Sequence, residues 1–368
     1  MNSKQRILSA LRHQPLDRVP VSTYEIVAHK KNTFYTTDPS YSNLVSYIKE
    51  KTDCIFYMYE TRNPSNPGIF ETLEWQEGND TYSKDIIHTP DRDLVCLKKK
   101  MAGIETWWTL EHYCKDLDDM RAYMKILDHR AGRVDMTEVY REQAELGNQG
   151  IMSLSPADPI GEAAWLFEMG SFLIYSITET EEMMRFMDAI FEVQMDYLRQ
   201  ILKGDVSEIM FRICGPEYAT PPYLSPRMFN DFVTPYLITM CREIKEAGGI
   251  PRIHCHGKIK EALKEFMKTD MMALDPIEPP PDGNIELSEV KRLCGDRVCL
   301  MGNMELKELE HASGDRIREL VKKAMEDAKG TTGYIFTTTA APINTPLSPH
   351  TEDNYHHMIE AALEYGKY

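Results

Sequence analysis

The sequence has no uninterrupted apolar stretch of about 18 residues, so nothing in it reads as a membrane-spanning helix. It lacks a CxxC pair. Its eight cysteines, at positions 54, 96, 114, 214, 241, 255, 294 and 299, are scattered, which argues against a disulfide framework and for reduced, mostly buried thiols. No long Lys/Arg run occurs: Lys98-Lys99-Lys100 is the densest basic spot and the formal net charge is −16, so nucleic acid is not an expected partner. No glycine-rich dinucleotide loop is found, and no low-complexity tract suggests disorder. The first residues lead into an amphipathic helix, not a signal-peptide core, so a cytoplasmic protein is expected.

What is present is a chain of 368 residues, 42% hydrophobic and 27% charged, enough for one barrel-sized domain with insertions or for two smaller ones. Apolar runs read as strands over 17–25, 53–59, 150–155, 208–214, 250–258, 269–275, 297–302 and 333–338. Helical patterns separate them, among them 41–51, a long stretch over 160–203 broken near 170–177, one helix over 226–247, and others over 258–268, 286–294, 314–329 and 352–366. Strands alternating with helices predict an α/β fold, a (β/α)8 TIM barrel forming a single domain over 1–368. Residues 68–113 change texture to short strand-like runs between turns. They predict an antiparallel β insertion after the second strand, with Trp107 and Trp108 in its core.

The fifth strand holds the candidate chemistry. His254 and His256 are two residues apart, so in a strand both project to one face and Cys255 to the other, as two ligands of one metal ion would need. Histidines near a strand end also serve as core residues or acid/base groups, and spacing leaves these open. In a barrel the C-terminal strand ends share one mouth, which would gather Tyr24, Tyr59, Glu217, His254, His256, Asp275 and Asn303.

Several segments, in order along the chain, carry a resemblance: Arg6-Ile7-Leu8-Ser9-Ala10-Leu11 with Asp17-Arg18-Val19-Pro20, then Leu224-Ser225-Pro226-Arg227-Met228-Phe229, Cys299-Leu300-Met301-Gly302-Asn303-Met304 and Pro349-His350-Thr351-Glu352-Asp353-Asn354. They resemble the uroporphyrinogen decarboxylase superfamily. True decarboxylases carry an arginine-rich Met-Arg-Gln-Ala-Gly-Arg segment that holds substrate carboxylates, and here Tyr24-Glu25-Ile26-Val27-Ala28-His29 stands instead. Corrinoid-linked methyltransferases, the other branch, build a zinc site from His-x-Cys at a strand end plus a later cysteine. In this chain His256 stands where the first cysteine would be, and 337–349 contains no cysteine. Gly215-Pro216-Glu217-Tyr218-Ala219-Thr220-Pro221-Pro222-Tyr223 is similar to methyltransferase components of O-demethylases.

The resemblance implies a methyltransferase that moves a methyl group from a small donor, an aromatic methyl ether, to the Co(I) corrinoid of a partner protein, with zinc polarising the ether oxygen. The thiolate-poor site implies zinc ligation by His254, His256, Glu217 and Glu278. Asn303, Asp275 and Tyr24 are the expected catalytic residues, Asn303 and Asp275 as strand-end groups that orient a ligand histidine. Tyr59, Tyr223 and Met301 are the expected substrate-binding residues. A corrinoid protein and a small-molecule donor are the implied partners, with a homodimer left open. A metal-free decarboxylase, a methylcobalamin:thiol methyltransferase and a non-catalytic methyl-carrier binding protein are the competing readings.

Overall fold

Seven short apolar runs line up side by side because each is joined to the next by a helical crossover, which returns the chain parallel to the strand it left. A computed structural model of the chain describes residues 1–130, 132–328 and 330–368. Its parallel strands are β1 (Cys54–Met58), β2 (Gly150–Leu154), β3 (Ile209–Cys214), β4 (Ile250–His254), β5 (Ala273–Asp275), β6 (Cys299–Met304) and β7 (Tyr334–Thr338), hydrogen-bonded in sequence order into one curled seven-stranded sheet. Helices cover the sheet, and the strands are buried along nearly their whole length, as expected for a parallel sheet.

The expected first strand over 17–25 does not form, so the sheet is not a closed eight-stranded ring. In its place Pro20–Ser22 spans the gap between β7 and β1 with a single bridge, Val21 to Phe336. Ser22 N–H donates to Phe336 O at 2.8 Å, Phe336 N–H to Pro20 O at 2.9 Å and Asp53 N–H to Val21 O at 2.7 Å. Pro20 has no N–H to extend the ladder, and the chain leaves the sheet at Tyr24, whose φ of +49° is foreign to a strand. The segment is anchored below by Asp53, fully buried, which accepts from Arg6 Nη1 at 2.6 Å, Arg18 Nη1 at 2.7 Å and Val21 N–H at 3.0 Å.

Other boundaries moved for local reasons. The stretch over 160–203 is three helices, Pro159–Leu166, Met169–Thr178 and Thr180–Ile201, divided at 167–168 and at 179. Residues 170–177 are helical, because the Glu168 carboxylate caps the second helix on Ser171 N–H at 3.1 Å. The helix over 226–247 splits into Pro226–Phe232 and Thr234–Glu246, since Pro235 cannot continue the first. The pattern over 258–268 yields only Leu263–Phe266, whereas the last helix runs Pro349–Tyr365.

The inserted strands Phe70–Glu77, Asp80–His88, Asp93–Lys100 and Trp108–Glu111 form a four-stranded antiparallel sheet of their own. Trp75 stacks on Tyr82 across the first pair, with ring centroids 5.5 Å apart. Trp107 and Trp108 are exposed, not core. Lys98, Lys99 and Lys100 each pair with a carboxylate, of Asp85, Asp80 and Glu105. A two-stranded sheet, Thr61–Pro64 with Gly132–Asp135, was not expected from the sequence. Among the described residues no helix is long and apolar enough to cross a membrane.

Candidate active site

Register sets the site. His254 lies beside Cys214 of β3 and Asp275 of β5, and Arg252 lies beside Arg212, so two rows of side chains stack inside the curl with the histidine row at the C-terminal edge. Arg252 is fully buried. Its Nε and Nη2 donate to the two Asp275 carboxylate oxygens, and its Nη1 donates to the Tyr57 hydroxyl at 2.8 Å. Burial alone would raise the Asp275 carboxyl. The Arg252 guanidinium and His254 overcome that and hold it well below the usual carboxylate range.

An ionised Asp275 can only accept, so His254 Nδ1, 2.7 Å from Asp275 Oδ2, carries the ring proton and Nε2 is left as an acceptor. Burial pushes the His254 imidazole down to about 4, which keeps it neutral. The Tyr24 hydroxyl, 3.3 Å from Nε2, donates to it and accepts from Arg212 Nη1 at 2.8 Å. Tyr24 is held in its left-handed conformation by its N–H to Thr337 Oγ1 at 3.1 Å, and burial raises its hydroxyl far above the ordinary phenol value.

His256 lies past the end of β4. Its ring is nearly perpendicular to that of His254, with centroids 4.7 Å apart. Its Nδ1 is 2.8 Å from Glu278 Oε1, and the Gly257 N–H donates to Glu278 Oε2 at 2.5 Å. Burial would lower His256, but the hydrogen bond and charge of Glu278 prevail and raise it. The Glu217 carboxylate accepts from Gly215 N–H at 3.2 Å, and burial raises its carboxyl. The Cys214 thiol is pushed up to about 11 by burial, against the opposing pull of Arg212, so it is a thiol and not a thiolate.

The structure thus joins Tyr24, His254 and Asp275 in one hydrogen-bonded chain and His256 with Glu278 in another. Glu217 is close enough to His256 for their charges to interact. It does not draw His254, His256, Glu217 and Glu278 around one point: among the described residues no three His, Cys, Asp or Glu side chains are grouped to hold a metal ion. Glu278 bonds to a histidine, as Asp275 does. Tyr59 is 66% exposed and Tyr223 44% exposed, whereas Met301 is fully buried in the core. Asn303 lines a different cavity of about 210 Å³ with Glu305 and Lys307. A cavity of about 400 Å³ opens beside Cys214, Gly215, Glu217 and Tyr218, with Trp165 on its wall.

Three residues of the network escaped the sequence reading: Arg212, Arg252 and Tyr57. A signal existed, since Arg252 shares the parity of His254 and His256, and Arg212 is a charge in the middle of the apolar run Ile209-Met210-Phe211-Arg212-Ile213-Cys214.

The family model described as uroporphyrinogen decarboxylase (URO-D) matches residues 159–365. No curated protein matches the sequence. Among solved structures, a methyltransferase from Methanosarcina mazei superposes with a TM-score of 0.62 at 17% identity, covering 99% of each chain. A Bacteroidetes-affiliated GH5 cellulase matches with a TM-score of 0.38 at 10% identity over 71% of this chain and 78% of its own. D-psicose 3-epimerase from Clostridium cellulolyticum H10 matches with a TM-score of 0.36 at 9% identity over 63% and 82%. The first of these likenesses shows a shared fold along the whole chain.

Proposed function

Because the chain belongs to the uroporphyrinogen decarboxylase (URO-D) family, we propose that it is an enzyme of that family acting as a methyltransferase, which takes a methyl group from a small donor, an aromatic methyl ether, and passes it to the Co(I) corrinoid of a partner protein. The full-length likeness to a methyltransferase fold supports this reading. The observation that carries it is the pair of imidazoles whose Nδ1 atoms are each held by a carboxylate, Asp275 or Glu278, so that the Nε2 atoms are the edges a ligand would use, the one on His254 now accepting from the Tyr24 hydroxyl at 3.3 Å. Carboxylates behind histidines in this way fix ring orientation and raise ligand basicity.

The donor chemistry fits zinc. His254 and His256 would hold it, and Glu217, close enough to His256 for their charges to interact, would have to move in to join them. Bound there, the metal would supply Lewis acidity to the departing ether oxygen. The chain's own residues do the rest. Asp275 and Glu278 orient the two imidazoles, so Glu278 is assigned an orienting role in place of a ligand role. The Tyr24 hydroxyl, anchored by Arg212 and kept a phenol by burial, can donate a hydrogen bond to that oxygen. Elemental analysis of purified protein and methyl transfer to a reduced corrinoid protein test the reading together. His254→Ala and His256→Ala are expected to lose zinc and turnover. Folded protein that turns over without zinc would sink the metal assignment.

One observation favours a second reading. Glu278 raises His256 toward the protonated state, which makes it a ready general acid for a metal-free, decarboxylase-like reaction. In that case His256→Ala abolishes turnover in protein that never contained metal.

A further inference from the structure

The curl encloses two arginines side by side, and they are not equally satisfied. Arg252 has both oxygens of Asp275, the Tyr57 hydroxyl and the Met210 sulfur around it. Arg212, one strand over and 8% exposed, has none of that. Its hydrogen bonds among the described residues both leave from Nη1, to the Tyr24 hydroxyl at 2.8 Å and to Glu25 Oε1 at 3.4 Å, and its Nε is buried with no partner. The rings of Tyr24 and Tyr57 cover the guanidinium, at 5.3 and 5.0 Å from its central carbon. Asp275, which could have neutralised it, is taken up by Arg252 and His254, and Glu25 is half exposed.

A buried guanidinium whose one carboxylate is half exposed and 3.4 Å away, and whose Nε has no partner among the described residues, is costly to keep unless an anion completes it, and the planar N–H fork matches a carboxylate best. The site lies beside the chemistry: the same Tyr24 hydroxyl that accepts from Arg212 donates to His254 Nε2. We propose that Arg212 is the seat of a carboxylate on the small molecule that this site binds, so that the methyl donor is an anionic compound, with its carboxylate on the free guanidinium edge and its reacting group toward His254. The inference rests on the methyltransferase reading for the word donor, and on the incompletely paired guanidinium alone for the carboxylate.

Calorimetric binding of 4-methoxybenzoate and benzoate, against the neutral amides 4-methoxybenzamide and benzamide, tests the seat without turnover. Wild-type protein is expected to prefer each acid over its amide by about tenfold or more, the range of a charge-assisted hydrogen bond. Arg212→Gln should erase that preference while leaving the amides within about threefold, and Arg212→Lys should keep part of it. Glu25→Gln, at a half-exposed position, should tighten the acids about two- to threefold by removing the competing carboxylate. It serves should Arg212→Gln fail to fold. Equal affinity for acid and amide, no binding of either acid, or an Arg212→Gln variant that weakens acid and amide alike would overturn the proposal. Acid binding without methyl transfer would leave the seat and remove the methyltransferase reading. Methyl transfer from 4-methoxybenzamide as efficient as from the acid would remove the seat alone.

Discussion

Two buried aspartates within the same fold should answer the same substitution in opposite ways. Asp275 is ionised between Arg252 and His254, so Asp275→Asn strands a buried guanidinium and is expected to cost about 3–5 kcal/mol in a urea unfolding experiment. Asp158 is also fully buried, but burial raises its carboxyl well above the ordinary value. Its Oδ2 has no partner among the described residues, while its Oδ1 caps Gly161 N–H at 2.8 Å. The folded state therefore keeps a proton that the unfolded chain releases, and the corresponding stability is lost as pH rises. Asp158→Asn keeps the cap, and at pH 8 it is expected to be neutral or to add up to about 1 kcal/mol. The two histidines also differ in sign. His254 stays neutral in the fold while the unfolded chain takes up a proton, so stability falls as pH drops from about 6.5 to about 4. His256 is raised, and its contribution is present below about 6.5 and fades as pH climbs through its folded value. A titration of the metal-free protein by histidine NMR should find the two resonances moving in separate pH windows, and His254→Gln should flatten the acid limb of the stability profile.

At the scale of elements, the turn after β3 holds the site to the helix Pro159–Leu166. Gly215 sits there at φ +130°, and a Cβ added to it would meet Asp158 Oδ1 at 2.1 Å and the Gly161 Cα at 2.8 Å. Gly215→Ala is expected to destabilise by about 2 kcal/mol or more and to shift Glu217, whose carboxylate accepts from the Gly215 N–H. Hydrogen exchange should show the loss concentrated at residues 158–161 and 215–219. This element also shows what was legible in the sequence. Apolar runs punctuated by helices gave all seven strands of the sheet, since burial on both faces leaves a compositional trace. Pro20 hid the failure of the segment over 17–25, which reads as a strand by composition but cannot complete a ladder. Strand parity brought out His254 and predicted its face, but β4 ends there, and parity says nothing of partners. That Asp275 and Glu278 would lie behind the histidines depends on the register of β4 against β5, which no local pattern encodes. Two of the segments that carry the family resemblance turn out to hold braces: Arg6 with Asp17 and Asp53, and Asn354, whose Nδ2 donates to Leu309 O at 3.0 Å and Ala312 O at 2.8 Å.

For the whole molecule, a ligand that binds only the folded form adds stability according to its concentration. Zinc at a hundredfold excess over its dissociation constant should add about 2.7 kcal/mol, a rise in Tm of about 4 °C for a chain of this size. The rise should vanish in the His254→Ala, His256→Ala double variant. A wild-type melting curve unmoved by zinc and by chelator would count against any metal at the site.

The bridge of Pro20–Ser22 to β7 has a consequence for how the molecule comes into being. Tyr24 is held by Thr337, 313 residues further along, and Val19 N–H donates to Gly366 O at 2.8 Å. Contacts of such separation are reached late, because the loop closed between Tyr24 and Thr337 is 313 residues long. On the ribosome, Arg252, Asp275 and His254 can take their places while β7 is still in the exit tunnel, but the tyrosine that meets His254 Nε2 cannot. The pocket is therefore finished by β7, the last of the seven sheet strands in chain order, and a nascent chain stalled before it would lack the partner that holds Tyr24 across from His254.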